Sequence, residues 1–137
     1  MKKIINFKIK THSNKTGNLT SLSFNKKFPI KVKRIFFING RKNKTRGNHA
    51  HKKCSQLFVP LLGKFILNIK TPYKQKKIVL SHLKKSGILI PPKYWCSISF
   101  ATKNSVLMVA CDKYYNTNDY LRNFREYEKY MGKKWKF

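Results

Sequence analysis

The chain has 137 residues, 41% of them apolar, and a formal net charge of +28 from 32 Lys and Arg against four Asp and Glu. That length supports one core and is short for two, and no apolar run approaches the ~20 residues of a membrane-spanning helix, so residues 1–137 are read as a single domain with no membrane partner. Only five of the basic residues are Arg, the residue that reads guanine edges and phosphate bidentately, and lysine is spread along the whole chain with no basic tail, which argues against specific nucleic-acid binding.

From the N-terminus, "MKKIINFKIK" has a basic start, but Asn6 and Lys8 break its apolar stretch before it becomes a secretory signal, so no export is expected. Short runs rich in β-branched and aromatic residues follow: "IINFKI", "LTSLSF", "KRIFFI", "HAHKK", "SQLFVPLL", "KFILNI", "KIVLS", "GILIPP", "WCSISFA" and "SVLMVAC". Turn residues separate them at Thr16–Gly17, Asn39–Gly40, Gly63, Pro72, Ser86–Gly87 and Lys103–Asn104. Many short strands at close spacing, ending near residue 112, predict an all-β sandwich or barrel. Beyond them Tyr120, Leu121, Phe124, Tyr127 and Met131 fall at helical spacing, with Thr117 or Asn118 as a cap and Asp119 in the first turn. One C-terminal helix is expected over about 118–131, packed on the β core or on a partner subunit.

Cys54, Cys96 and Cys111 are odd in number, widely spaced and form no CxxC. They suggest neither a disulfide framework nor a zinc knuckle and fit a reducing cytoplasm. His12 in "THSNKTG" and His82 in "LSHLKKSG" sit in polar, turn-like contexts and read as surface residues.

The segment "KTRGNHAHKKCSQLF" carries the other two histidines, His49 and His51, one residue apart. On a strand, positions i and i+2 point to one face, so both imidazoles would share a wall. Three readings are open. A metal site needs more ligands, but Gln56 stands where a carboxylate would be wanted, and the later "PPKYWCSISF" offers only Cys96. A proton-transfer pair needs only two imidazoles in one pocket, where each perturbs the other's titration. An ordinary strand pair with satisfied hydrogen bonds is the third. The "RG" upstream offers a turn that brings Arg46 to the pocket rim, and Gln56 lies one short strand away; both bind anions and hydroxyls. All four acidic residues, Asp112, Asp119, Glu126 and Glu128, lie in the last 26 positions, so a carboxylate partner is not expected here.

The segments "KRIFFI", "RGNHAHKKCSQLFV", "LIPPKYWCSI" and "YYNTNDYLRNF" are similar, in order and spacing, to those of the sugar 3,4-ketoisomerases, cupin enzymes acting on dTDP-4-keto-6-deoxyglucose. The resemblance spans nearly the whole chain; "RGxHAHK" followed by Gln, with the later "DYLR", is its most specific part. It implies a small cupin (jelly-roll) barrel, a homodimer, and a metal-free, cofactor-free cytoplasmic enzyme of deoxysugar and surface-glycan biosynthesis. It places His49 and His51 on the proton-transfer pair and Arg46 and Gln56 on neighbouring motif positions; Arg34 and Arg46 are the candidates for the diphosphate. The galacto 3-keto product is favoured over the gluco one. The chain departs from the family at Phe36 and Phe37, where tyrosines are common, at Thr16, where Arg is common, near Ser23, where an acidic residue is common, and at Cys96, which is sometimes His. Alternatives are a non-catalytic cupin that binds a nucleotide sugar or polyanion, and a 3,5-epimerase. The epimerases use a His–Asp dyad, and the lack of any Asp before residue 112 is held against that reading.

Overall fold

The computed structural model describes residues 1–135 and, within them, side chains through residue 132. The strands are β1 (Ile5–Lys8), β2 (Lys10–Asn14), β3 (Gly17–Ser21), β4 (Arg34–Gly40), β5 (Thr45–His51), β6 (Gln56–Leu62), β7 (Lys64–Lys70), β8 (Gln75–Ser81), β9 (Ser86–Ile90), β10 (Trp95–Phe100), β11 (Ser105–Cys111) and β12 (Tyr120–Leu121), followed by helix α1 (Phe124–Trp135). Two five-stranded sheets form, in the orders β1-β9-β6-β11-β4 and β12-β5-β10-β7-β8, with β2 and β3 as a separate hairpin. All paired strands are antiparallel. This is the all-β architecture that the strand pattern predicts, with the one C-terminal helix, and its two packed sheets fit the jelly roll that the resemblance implies.

Strand composition decides which faces are buried. Strand β7, "KFILNIK", alternates, and its Phe65, Leu67 and Ile69 enter the core between the sheets with Phe58, Ile98, Phe100, Leu107 and Val109. Strands β6 and β11 are apolar on both faces. Their second face, Leu57, Val59, Met108 and Ala110, lies under Phe28, with Leu22, Ile30 and Val32 packed beside it. A strand covered on both sides reads as a continuous apolar run rather than an alternating one. On the outside of the other sheet, Tyr127 and Met131 of α1 cover Ala50, Trp95 and Leu121.

The helix begins later than its apolar spacing predicts. Residues Thr117–Asp119 form one 3₁₀ turn capped by the Asn116 side chain, and Tyr120–Leu121 then pair with His51 and Ala50 of β5. The backbone N–H of Lys52 donates to the Asp119 carbonyl at 2.8 Å, and the Asp119 side chain accepts from Lys53 N–H. These bonds hold residues 119–121 extended against β5. Asn123, not Thr117 or Asn118, caps the helix, accepting from Glu126 N–H at 3.2 Å. Tyr120 and Leu121, neighbours at helical spacing, therefore face opposite sides of a strand.

His82 also departs from expectation. It is half-buried, and its Nδ1 accepts the Gly63 N–H at 2.9 Å, so it braces the β6–β7 turn.

Candidate active site

A cavity of about 280 Å³ lies between the two sheets. From one sheet, alternation on β4 turns Arg34, Phe36 and Ile38 inward, and β6 adds Gln56 and Phe58; from the other come Arg46, His49, Cys96, Ile98, Tyr120 and, just past β12, Arg122. The structure thus brings Arg34, Arg46, His49 and Gln56 together on one wall system. Among the described residues, three guanidinium groups and no carboxylate line it, which suits an anionic ligand.

Arg46 and His49 are three residues apart, so a regular strand would turn them to opposite faces. The strand is not regular. Pairing between β5 and β10 slips at Cys96/Ser97, with Cys96 opposite His49 but Ser97 opposite Gly47. The extra residue is Asn48, at φ 60°, next to Gly47 at φ 96°. A bulge, rather than the turn expected from "RG", re-aims Arg46 into the cavity.

The two histidines stand edge to face with ring centroids 5.1 Å apart, but their surroundings differ. His49 is half-buried on the larger cavity. Burial first, then the neighbouring His51, lower its pKa to about 4. His51 is 6% exposed and lines a second space of about 10 Å³ behind it, shared with His49, Cys54, Gln56, Tyr94 and Cys96. Burial also lowers the His51 pKa, opposed by Asp119. His51 Nδ1 lies 2.9 Å from Asp119 Oδ2, which corrects the expectation that no carboxylate reaches this site. The pairing of β12 with β5 carries a residue 68 positions away back to the histidines. The objection to a 3,5-epimerase that rested on a missing Asp therefore has no force.

Gln56 is buried and donates Nε2 to Cys111 Sγ at 3.6 Å, as does Arg34 Nη2. Cys111 is lowered to about 7 by its hydrogen bond with Cys54, with Gln56 and Arg34 adding to the effect against the cost of burial. Cys96 is pushed up to about 12 by burial, and its thiol donates to the Tyr94 carbonyl. A neutral thiol is a poor ligand in place of a third histidine. His51, Cys54 and Asp119 bring ligand atoms within 4.8 Å of one another. Both Asp119 oxygens already accept backbone N–H groups, and hydrogen bonding to Cys111, then burial, push the Cys54 thiol far up. That set does not fit a divalent cation, and His49 is not in it.

The departures from the family pattern separate by position. Phe36 lines the cavity, whereas Phe37 points outward and is 63% exposed. The phenol on the cavity is Tyr120, which shares the wall with Arg34 and is covered by the Arg122 guanidinium at 4.2 Å. Thr16 lies at the tip of the β2–β3 hairpin and Ser23 beyond β3, both outside this wall. Neither Tyr120 nor Arg122 is a site candidate on sequence grounds, although "DYLR" holds both; a helix read over that segment hides the pairing of Tyr120 and Leu121 with β5.

Known proteins match this chain over almost its full length. The family model described as FdtA, WxcM-like, C-terminal, matches residues 2–132. The TDP-4-oxo-6-deoxy-alpha-D-glucose-3,4-oxoisomerase of Aneurinibacillus thermoaerophilus is 32% identical over 132 residues, 96% of this chain and 93% of that protein. QdtA, a sugar 3,4-ketoisomerase from Thermoanaerobacterium thermosaccharolyticum solved in complex with TDP, superposes with a TM-score of 0.87 at 32% identity, covering 96% of each chain. A histidine-to-asparagine mutant of the same enzyme, solved with TDP-4-keto-6-deoxyglucose, gives a TM-score of 0.88 at 30% identity, covering 98% of this chain and 97% of that one. Matched from residue 2 to residue 132 and built on the same jelly roll, the chain belongs to the FdtA, WxcM-like family of cupin-fold sugar-nucleotide 3,4-ketoisomerases.

Proposed function

We propose that this protein is a 3,4-ketoisomerase that converts TDP-4-keto-6-deoxyglucose to the TDP-3-keto sugar without a metal or other cofactor. The observation that carries this reading is a histidine of lowered pKa set beside three arginines in one cavity, within a family of such isomerases. Arg34, Arg46 and Arg122 hold the diphosphate, and Gln56 binds a sugar hydroxyl. His49, neutral at pH 7 and facing the cavity, takes the C3 proton, which the C4 ketone acidifies. As C3–H breaks, its electron pair forms the C3=C4 bond of an enediol and O4 gains a proton. C4 then takes a proton back, O3 gives its proton up, and C3 becomes the ketone.

The one-sided placement of the two histidines supports the galacto product. In the gluco-configured substrate the C3 hydrogen lies on the lower ring face. His49 and His51 share one strand with rings 5.1 Å apart, so removal and return on the same face leave O4 axial, the galacto product. We further assign the enzyme to the cytoplasm as a homodimer; its three cysteines are free, and Ile35 and Phe37 are exposed on edge strand β4.

The test is incubation with TDP-4-keto-6-deoxyglucose in D₂O plus chelator, followed by NMR. A 3-ketone deuterated at C4, with a small H4–H5 coupling in the parallel H₂O reaction, is expected. An unchanged sugar beside an active control enzyme overturns the isomerase, a large axial–axial coupling overturns the galacto assignment, and loss of turnover with chelator overturns the metal-free mechanism. Size-exclusion chromatography with light scattering checks the dimer.

A further inference from the structure

The His51–Asp119 pair is built with more care than a surface ion pair. Asp119 ends the 3₁₀ turn capped by Asn116, and its side chain is nearly buried. Oδ1 accepts the Lys53 N–H at 2.7 Å, and Oδ2 accepts the Cys54 N–H at 3.3 Å. With both oxygens facing N–H donors, the carboxylate can only accept from the third neighbour, His51 Nδ1 at 2.9 Å. The hydrogen of a neutral His51 is therefore on Nδ1. Its Nε2 is buried and makes no hydrogen bond to the described residues.

We infer that Asp119 is a positioning residue that fixes His51 as the Nδ1–H tautomer, leaving Nε2 as a bare proton acceptor directly behind His49. The small space the two histidines share, about 10 Å³, is near the least that holds one water. A proton taken by His49 can therefore pass back to His51 Nε2 through such a water, and a proton can come back to His49 by the same path. The Asp119 carboxylate stabilises the imidazolium while it lasts and does not itself take the proton. Asp119 is not among the residues that line the larger cavity. It acts through His51 alone.

The kinetic part of this inference rests on the isomerase reading; the tautomer does not, and is read without substrate. In ¹⁵N-labelled protein at pH 7, long-range ¹H–¹⁵N correlation should give His51 Nδ1 the shift of a protonated nitrogen and Nε2 that of a bare one. In Asp119→Asn the amide oxygen keeps the Lys53 bond while its NH₂ faces His51, so the two shifts should exchange. Turnover in that variant should fall ~10–100-fold, the usual cost of losing an outer partner of a functional histidine, with KM for the TDP-sugar changed less than about threefold. A wild-type His51 protonated on Nε2 overturns the inference whether or not any variant folds. So does an Asp119→Asn protein with unchanged kcat, or one that loses activity through KM alone.

Discussion

His49 owes its chemistry to being half-buried beside other positive groups. Burial, His51 and Arg122 all disfavour its charged form and bring its pKa to about 4. An imidazole accepts a proton only while neutral, so activity is lost as pH falls through the folded value, not through the ordinary ~6.5. The acid limb of kcat/KM should accordingly lie near pH 4, wherever the protein stays folded. Linkage works in the same window: the unfolded chain binds this proton first, so stability falls as pH drops from about 6.5 toward about 4. His49→Asn should lower kcat ~10²–10⁴-fold, the usual range for one general base, with TDP binding by calorimetry nearly unchanged, because the arginines remain. An acid limb near 6.5, or a mutant within a few-fold of wild type, would remove His49 from that role.

At the scale of elements, the site depends on two departures from regular structure, the β5 bulge and the short strand β12. A Cβ on Gly47 would lie 2.9 Å from the Cys96 carbonyl oxygen and 3.2 Å from Ser97 Cα, at a backbone φ of 96°. Gly47→Ala should therefore cost about 1–3 kcal/mol for the disfavoured backbone alone, read as a lower urea midpoint. It should also cut kcat/KM more than stability, since the bulge is what aims Arg46 and His49 at one cavity. A variant with wild-type activity would show that the bulge tolerates a side chain. These two elements also mark the limit of what sequence discloses. The strand runs, Arg34, His49, His51 and Gln56 are legible because alternation and side-chain chemistry are local. The pairing of Tyr120 and Leu121 with β5 is not, because helical spacing and a two-residue strand give the same pattern over so short a stretch. Asp119 is hidden for that reason: its distance from the histidines in sequence says nothing of the register that closes it in space.

For the molecule as a whole, charge and architecture act together on one ligand. Thirty-two basic residues against four acidic ones surround the chain with positive potential, and the cavity concentrates it with three arginines unrelieved by any lining carboxylate. On the proposed reading a TDP-sugar would be drawn in at long range and gripped at short range, and the two differ in their response to salt. Long-range steering decays over a Debye length, ~10 Å at 0.1 M and ~3 Å at 1 M, while contacts inside a partly dry cavity are screened far less. Raising NaCl from 0.05 to 0.5 M should lower kcat/KM roughly tenfold or more, through slower capture of the dianion, and leave kcat within about twofold. Arg46→Gln should instead raise KM at every salt concentration and flatten that dependence. A fall in kcat that tracks ionic strength would mean that salt loosens the folded site itself, and that the excess charge does not serve capture.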